Sequence, residues 1–145
     1  MAKPQQGIVV RDPGWEERVR ASFTRQAFMR LIGAEIAELA PGRCALMLPM
    51  RDDLTQQRGF LHGGVTTAIA DSAAGYAAYS LMPANATPLT VELKINLLAP
   101  ALGARCLAIG QVVRAGRTLT VVEADVIAQA QGAEMRVARM MATLI

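Results

Sequence analysis

The sequence predicts an α+β domain in which one antiparallel sheet wraps around a single long, buried helix. Two observations predict this class. Residues 64–82 are helix-length and apolar or small on almost every side, as expected of a helix surrounded by protein. Two segments with strand character precede them and four follow, joined by short turns that favour antiparallel pairing.

The composition fits one globular unit. The chain has 145 residues, of which 52% are hydrophobic and 19% charged. We predict an N-terminal tail over residues 1–13 and a single domain over residues 14–145, because no internal repeat or long linker divides the rest. Residues 1–14 lack the apolar core of a signal peptide, so we expect a cytoplasmic protein.

Charge and hydropathy argue against two classes of partner. The formal charge is +3, and no run of Lys or Arg with interleaved aromatics occurs, so we expect no nucleic-acid binding. Residues 65–82 are apolar or small except for Asp71. A carboxylate at mid-bilayer costs about 3 kcal/mol of insertion free energy, so we expect a buried helix and no membrane partner.

The N-terminal third predicts a helix and two strands. Residues 14–32 carry apolar side chains at near-helical spacing, and Gly33 ends the helix. Residues 34–39 and 43–49 predict strands because a Pro-Gly turn signal at 41–42 stands between them.

The rest of the chain predicts a polar loop over residues 51–61, the long helix and four strands. Residues 89–97 alternate cleanly between apolar and polar, which predicts a half-buried strand with Thr90 on its polar face beside Glu92. The remaining strands are predicted over residues 105–114, 118–128 and 133–144.

The start of the long helix and its one carboxylate are the candidate chemical groups. The first amides of a helix have no intrahelical partner, so Gly63 and Gly64 could present an unobstructed oxyanion site. Two glycines at a helix start also occur as simple loop flexibility. No Lys or Arg lies within four residues of Asp71. Asp71 therefore either pairs with a group distant in sequence or is kept for acid/base chemistry.

The histidine and the two cysteines are weaker candidates for a catalytic or metal-binding role. His62 is the only histidine, and it could be a base or a structural hydrogen-bonding residue. A metal site is not expected, because no second imidazole or cysteine pair accompanies it. Cys44 and Cys106 lack CxxC spacing and lie in apolar segments, which predicts buried free thiols.

Several ordered motifs, together, resemble hotdog-fold thioesterases of the phenylacetic-acid-degradation (PaaI) type. The resemblance runs from about residue 33 to residue 145. The motifs are Leu61-His62-Gly63-Gly64, Ala70-Asp71-Ser72-Ala73, the strand from Thr90 to Asn96, Leu98-Ala99-Pro100, Gly103 and Gly116-Arg117-Thr118.

The resemblance implies hydrolysis of a small or medium acyl- or aryl-CoA, without a metal or bound cofactor. It implies that the Gly63 amide binds the thioester carbonyl and that Asp71 acts as general base or nucleophile. Thr90 would help to hold the water, and His62 would be a positioning residue. The family forms homodimers or dimers of dimers, in which the glycine and the carboxylate of one site come from different subunits.

One position departs from the family pattern. Where related enzymes commonly place Asn, this chain has Gln56 with Gln57 beside it, so the geometry of that contact is open. Candidate substrate-binding residues are Gly64, Ser72, Gln57, Arg114 and Arg117. Arg114 and Arg117 flank a hairpin tip, where they either meet CoA phosphates or are solvated turn residues.

Two alternatives accompany the thioesterase hypothesis. A hotdog hydratase or dehydratase would use His62 and a carboxylate as an acid/base pair, so His62→Ala would then cost as much activity as Asp71→Ala. A non-catalytic acyl-CoA-binding module would bind the thioester without releasing thiol.

Overall fold

The computed structural model describes residues 8–145, which contain three helices and one six-stranded antiparallel sheet. The helices are α1 (Trp15–Arg25), α2 (Ala27–Ile32) and α3 (Gly63–Tyr79), and a 3-10 turn spans Asp52–Leu54. The strands are β1 (Glu35–Ala40), β2 (Arg43–Pro49), β3 (Thr90–Leu97), β4 (Arg105–Ala115), β5 (Thr120–Ala130) and β6 (Ala133–Leu144). The strand order in the sheet is β1-β2-β4-β5-β6-β3. The predicted fold class is confirmed.

Residues 1–7 of the predicted tail lie outside the described residues, and the division into tail and domain stays a prediction.

Helix α3 packs against the middle of the sheet through its smallest residues. Ala70, Ala73, Ala74 and Ala77 are fully buried. A Cβ added at Gly110 of β4 would lie 2.4 Å from the carbonyl oxygen of Ala73, so helix and strand backbones touch at this point. None of the helices in residues 8–145 combines the length and the hydropathy that crossing a membrane requires.

The N-terminal helical segment is broken in the middle, contrary to the prediction of one helix over residues 14–32. Gln26 has an extended backbone, with φ −77° and ψ 96°, and separates α1 from α2. The break lets Val19 of α1 and Met29 of α2 both reach the core. Gly33 ends α2 in the left-handed conformation at φ 80°, as predicted.

A β-bulge at the start of β3 changes the face on which Thr90 lies. Thr90 is opposite Leu144 and Glu92 is opposite Thr143, so Val91 is the extra residue. Because a one-residue shift exchanges the two faces of a strand, Thr90 lies on the α3 side with the buried Leu144. The prediction that Thr90 shares a face with Glu92 is therefore wrong.

Strand β3 is an edge strand with exposed apolar side chains. Within residues 8–145 it pairs with β6 alone. Leu89, Val91 and Leu97 are 63%, 54% and 58% exposed, respectively. The predicted alternation is present, but the prediction of a half-buried strand is wrong for the single chain. An open hydrogen-bonding edge beside apolar side chains is a surface that favours pairing with another strand.

Candidate active site

The Asp71 carboxylate lies on the half-buried side of α3 and is held by one hydroxyl group. Thr90 Oγ1 donates a 2.7 Å hydrogen bond to Asp71 Oδ1. No Lys, Arg or His among residues 8–145 forms an ion pair with it. The pairing with a group distant in sequence is therefore observed, because Thr90 is 19 residues away, but the partner is a neutral hydroxyl group. Acid/base chemistry remains open as the second possibility. The second carboxylate oxygen remains available to a water or a substrate.

Asp71 and Thr90 line a cavity of about 470 Å³. Ser72, a predicted substrate contact, lines the same cavity. The opposite wall is formed by Ser22 and Arg25 of α1 and by Gln26 just after its end, none of which sequence reasoning singled out. The i, i+3 spacing of Ser22 and Arg25 puts these two side chains on one helix face, and that polar pair is the signal that could have identified them.

The start of α3 leaves one backbone amide without an intramolecular partner. His62 is the N-cap residue, and its Nδ1 accepts a 2.8 Å hydrogen bond from the Gly64 amide. The amides of Val65 and Thr66 both donate to the His62 carbonyl. The Gly63 amide donates to no group within residues 8–145. Gly63 is therefore the available donor at the positive end of the helix, and His62 orients the turn around it.

Gln56 shares a second cavity, of about 360 Å³, with Gly63. The loop holding Gln56 is folded back on itself, because its amide donates to the Phe60 carbonyl at 2.8 Å. The Gln56 side-chain oxygen accepts a hydrogen bond from the Arg58 amide, which leaves its NH₂ group for a ligand. The neighbouring Gln57 is exposed and lies outside the lining of this cavity.

The structure keeps the two predicted catalytic groups of one chain apart. Asp71 follows Gly63 by eight residues, which corresponds to about 12 Å along the axis of an α-helix. The two residues also line different cavities. A carbonyl bonded to the Gly63 amide would therefore be out of reach of the same chain's Asp71, since both contacts need about 3 Å.

The two predicted phosphate-contacting arginines lie away from both cavities. Arg114 and Arg117 are exposed near the β4–β5 hairpin. Arg117 lines a separate cavity of about 170 Å³ together with Arg11. The predicted CoA contact of Arg114 and Arg117 stays a prediction.

Neither cysteine is available as a nucleophile at neutral pH. Cys44 and Cys106 are buried and free, as predicted. Burial raises the pKa of Cys44 to about 12 and that of Cys106 to about 11, so both remain protonated thiols. Within residues 8–145, no group of three or more His, Cys, Asp or Glu side chains is placed to hold a metal ion.

Comparison with known proteins gives the class. The family model of the thioesterase superfamily matches residues 58–134, more than half of the chain, including Gly63, Asp71 and Thr90. The chain belongs to the thioesterase superfamily, and it is a thioester hydrolase.

Individual relatives agree with this assignment. A protein of Saccharolobus solfataricus, provisionally named an esterase, is 32% identical over 96 residues, covering 66% of this chain and 68% of that protein. A similarly named protein of Halobacterium salinarum is 31% identical over 111 residues, covering 73% of each.

Solved structures confirm the predicted fold. A thioesterase family protein from Silicibacter pomeroyi is 50% identical with a TM-score of 0.89, covering 90% of this chain and 96% of that one. The PaaI protein from the phenylacetic acid degradation operon of E. coli is 20% identical with a TM-score of 0.81, covering 90% and 91%, which is a likeness of fold. The predicted resemblance to hotdog-fold thioesterases is confirmed.

Proposed function

We propose that the protein hydrolyses a small or medium acyl- or aryl-CoA to the free acid and CoA. The observation that carries the proposal is the hydrogen bond from Thr90 to Asp71 on a cavity wall, with a free Gly63 amide at the start of the same helix. Coenzyme A is here part of the substrate, and the proposed reaction uses neither a metal nor a bound cofactor. The cytoplasmic location and the domain boundaries remain predictions from the sequence.

We further propose that a second copy of the chain completes each site. Thr90, at one end of β3, contacts Asp71. Leu97, at the other end, lies beside Gly63, where an added Cβ would be 2.8 Å from Leu97 Cδ1. If two β3 strands pair antiparallel about a twofold axis, the Thr90 end of one lies next to the Leu97 end of the other. That pairing brings the Asp71 cavity of each chain towards the Gly63 amide of the other.

The exposed side chains of β3 support this arrangement. Leu89, Val91 and Leu97 would leave water, and the open backbone edge would gain hydrogen-bonding partners. Such a homodimer is the smallest assembly that gives a complete site. A dimer of dimers would retain it.

In the proposed reaction, Asp71 accepts a proton from a water molecule whose oxygen attacks the thioester carbon. The Gly63 amide from the second chain hydrogen-bonds to the carbonyl oxygen as it gains negative charge. The C–S bond then breaks, and CoA leaves as a thiolate that takes up a proton. Direct attack by Asp71 on the same carbon would instead expel CoA thiolate and form a mixed anhydride, which a water molecule would then hydrolyse to the free acid and the Asp71 carboxylate.

Supporting roles follow from the contacts around the two groups. Thr90 fixes the orientation of the Asp71 carboxylate through its hydrogen bond, and we expect it also to contact the attacking water. Gln56 lines the Gly63 cavity, and we expect its NH₂ group to contact the carbonyl or the water. His62 acts through the backbone, as the cap that shapes the first turn of α3.

The test is free-thiol release from a panel of acyl-CoAs, with wild type beside Asp71→Asn. We expect the variant to lose roughly a hundredfold or more in turnover, as for removal of a general base. Asp53→Asn is the matched control, because Asp53 is an exposed carboxylate paired with Arg51 outside both cavities. Equal release from wild type and Asp71→Asn would show that another residue is catalytic. Tight acyl-CoA binding without release would favour a binding module.

A further inference from the structure

The α1 end of the Asp71 cavity is polar and carries a positive charge. Ser22 and Arg25 line it from α1, and Tyr76 and Thr87 line it from α3 and the segment before β3. The Ser22 and Tyr76 hydroxyl oxygens are 3.4 Å apart. The α1 residues precede residues 58–134, so this wall lies outside the segment matched by the superfamily.

Arg25 is the cationic side chain of this wall. Its guanidinium makes no hydrogen bond or ion pair within residues 8–145. Burial raises the pKa of Tyr76, and the positive charge of Arg25, which lines the same cavity, acts against that rise. Among the described residues that line the cavity, Asp71 is the one acid. The cavity therefore has a carboxylate on one wall and an uncompensated cation on another.

The residues that line the Asp71 cavity indicate which part of the substrate enters it. Because Asp71 must reach the thioester carbon, one of the two groups on that carbon enters this cavity. Tyr76, which is 7% exposed, forms a buried part of the lining. A volume of about 470 Å³ suits a small ligand rather than a long one that must continue to solvent. The acyl group fits this space, and CoA leaves in the other direction.

A purely apolar acyl chain would suit this end poorly. Arg25 and Thr87 are exposed and Ser22 is half-buried, so an apolar chain would displace water from these polar groups only in part and would form no hydrogen bond with them. A carboxylate at the far end of the acyl group would instead accept charge-assisted hydrogen bonds from Arg25.

We infer that the enzyme prefers acyl groups with a terminal carboxylate, that is, CoA half-thioesters of short dicarboxylic acids, and that Arg25 is the residue that selects them. This inference rests on the proposed acyl-CoA hydrolysis and adds the substrate class. It assigns to α1 the recognition of the far end of the acyl group, while α3 and β3 hold the reacting end.

The test compares kcat/KM for substrate pairs of equal length: succinyl- with butyryl-CoA, glutaryl- with pentanoyl-CoA, and adipoyl- with hexanoyl-CoA. In wild type we expect at least one charged substrate to exceed its uncharged partner by about tenfold, as for one charge-assisted hydrogen bond. Arg25→Gln should abolish that ratio, and Arg25→Lys should retain part of it. Arg20→Gln is the control, because Arg20 lies on the same helix, outside the cavity lining, and pairs with Glu16.

Three outcomes would overturn the inference. If wild type prefers the uncharged member of every pair, the proposed function stands and the inference fails. If Arg25→Gln lowers kcat/KM for both substrates of a pair by the same factor, Arg25 contacts CoA rather than the acyl group. If this panel releases no thiol, the inference fails, and the proposed function fails with it only when the wider panel of acyl- and aryl-CoAs also releases none.

Discussion

The hydroxyl group of Thr90 holds the carboxylate of Asp71 at 2.7 Å, although the two residues are 19 positions apart in the sequence. The contact depends on the bulge at Val91, which turns Thr90 from the outer face of the sheet to the face on which α3 packs. Within residues 8–145, this hydrogen bond joins the edge strand β3 to the central helix α3. The bulge determines the face of the sheet on which the Thr90 side chain lies.

Removing the Thr90 hydroxyl should lower activity without unfolding the protein. We expect Thr90→Val to reduce kcat/KM by roughly tenfold to a hundredfold, because Asp71 loses its one orienting hydrogen bond. Thr90→Ser, which keeps the hydroxyl, should stay close to wild type. Thiol-release kinetics beside thermal unfolding would check this, and full activity in Thr90→Val would contradict it.

Removing the His62 side chain should affect stability more than chemistry. His62→Ala deletes the acceptor for the Gly64 amide, and loss of an N-cap costs about 1 kcal/mol of unfolding free energy. His62→Asn should recover most of that stability, because Asn is a good N-cap residue. Denaturant unfolding and thiol release measure the two effects. A loss of activity in His62→Ala as large as that in Asp71→Asn would instead support the hydratase-type acid/base pair.

Filling the space at Gly63 should block the oxyanion site. The Cβ of Gly63→Val would lie 2.8 Å from Leu97 Cδ1, which is the far end of a side chain that can change rotamer, so we expect the variant to fold. Its side chain would obstruct the approach of a carbonyl to the amide and lower kcat/KM by roughly a hundredfold. Gly14→Val at the start of α1 is the control, since the nearest atom there is 3.5 Å away. Unchanged kinetics in Gly63→Val would remove Gly63 from the site.

The buried thiols make stability depend on alkaline pH. The folded-state pKa values of Cys44 and Cys106, about 12 and about 11, lie above their ordinary value of 9.0. Their contribution is therefore fully present below about pH 9 and is lost as the pH rises towards the folded values. We expect the unfolding free energy to fall as the pH rises from about 9 towards 11, and to fall less in the Cys44→Ala, Cys106→Ala double variant. Identical slopes for the two proteins would contradict this.

Much of the architecture could be predicted because each pattern reflected a local cause. The small, apolar surface of α3 predicted a buried helix, and Ala73 does touch the sheet backbone at Gly110. The turn signals placed β2 and β6 at their observed bounds. Gly63 and Asp71 could be selected as candidates because a pair of glycines and a carboxylate are both unusual in a buried helix.

What could not be predicted depends on tertiary contacts. The bulge at Val91 leaves the alternation after it intact, so periodicity alone placed Thr90 on the wrong face. The break at Gln26 is set by the need of α1 and α2 to reach one core, and no Pro or Gly marks it. The contribution of Arg25 to the Asp71 cavity arises only when α1 packs across α3.

The central claim is that Asp71 of one chain works with Gly63 of another. The direct measurement is the activity of a purified heterodimer, made with two affinity tags, that carries Asp71→Asn in one chain and Gly63→Val in the other. One of its two sites would retain both groups, so we expect about half of the wild-type turnover per dimer, while each variant homodimer is nearly inactive. A heterodimer as inactive as its parent homodimers would show that the two groups act within a single chain.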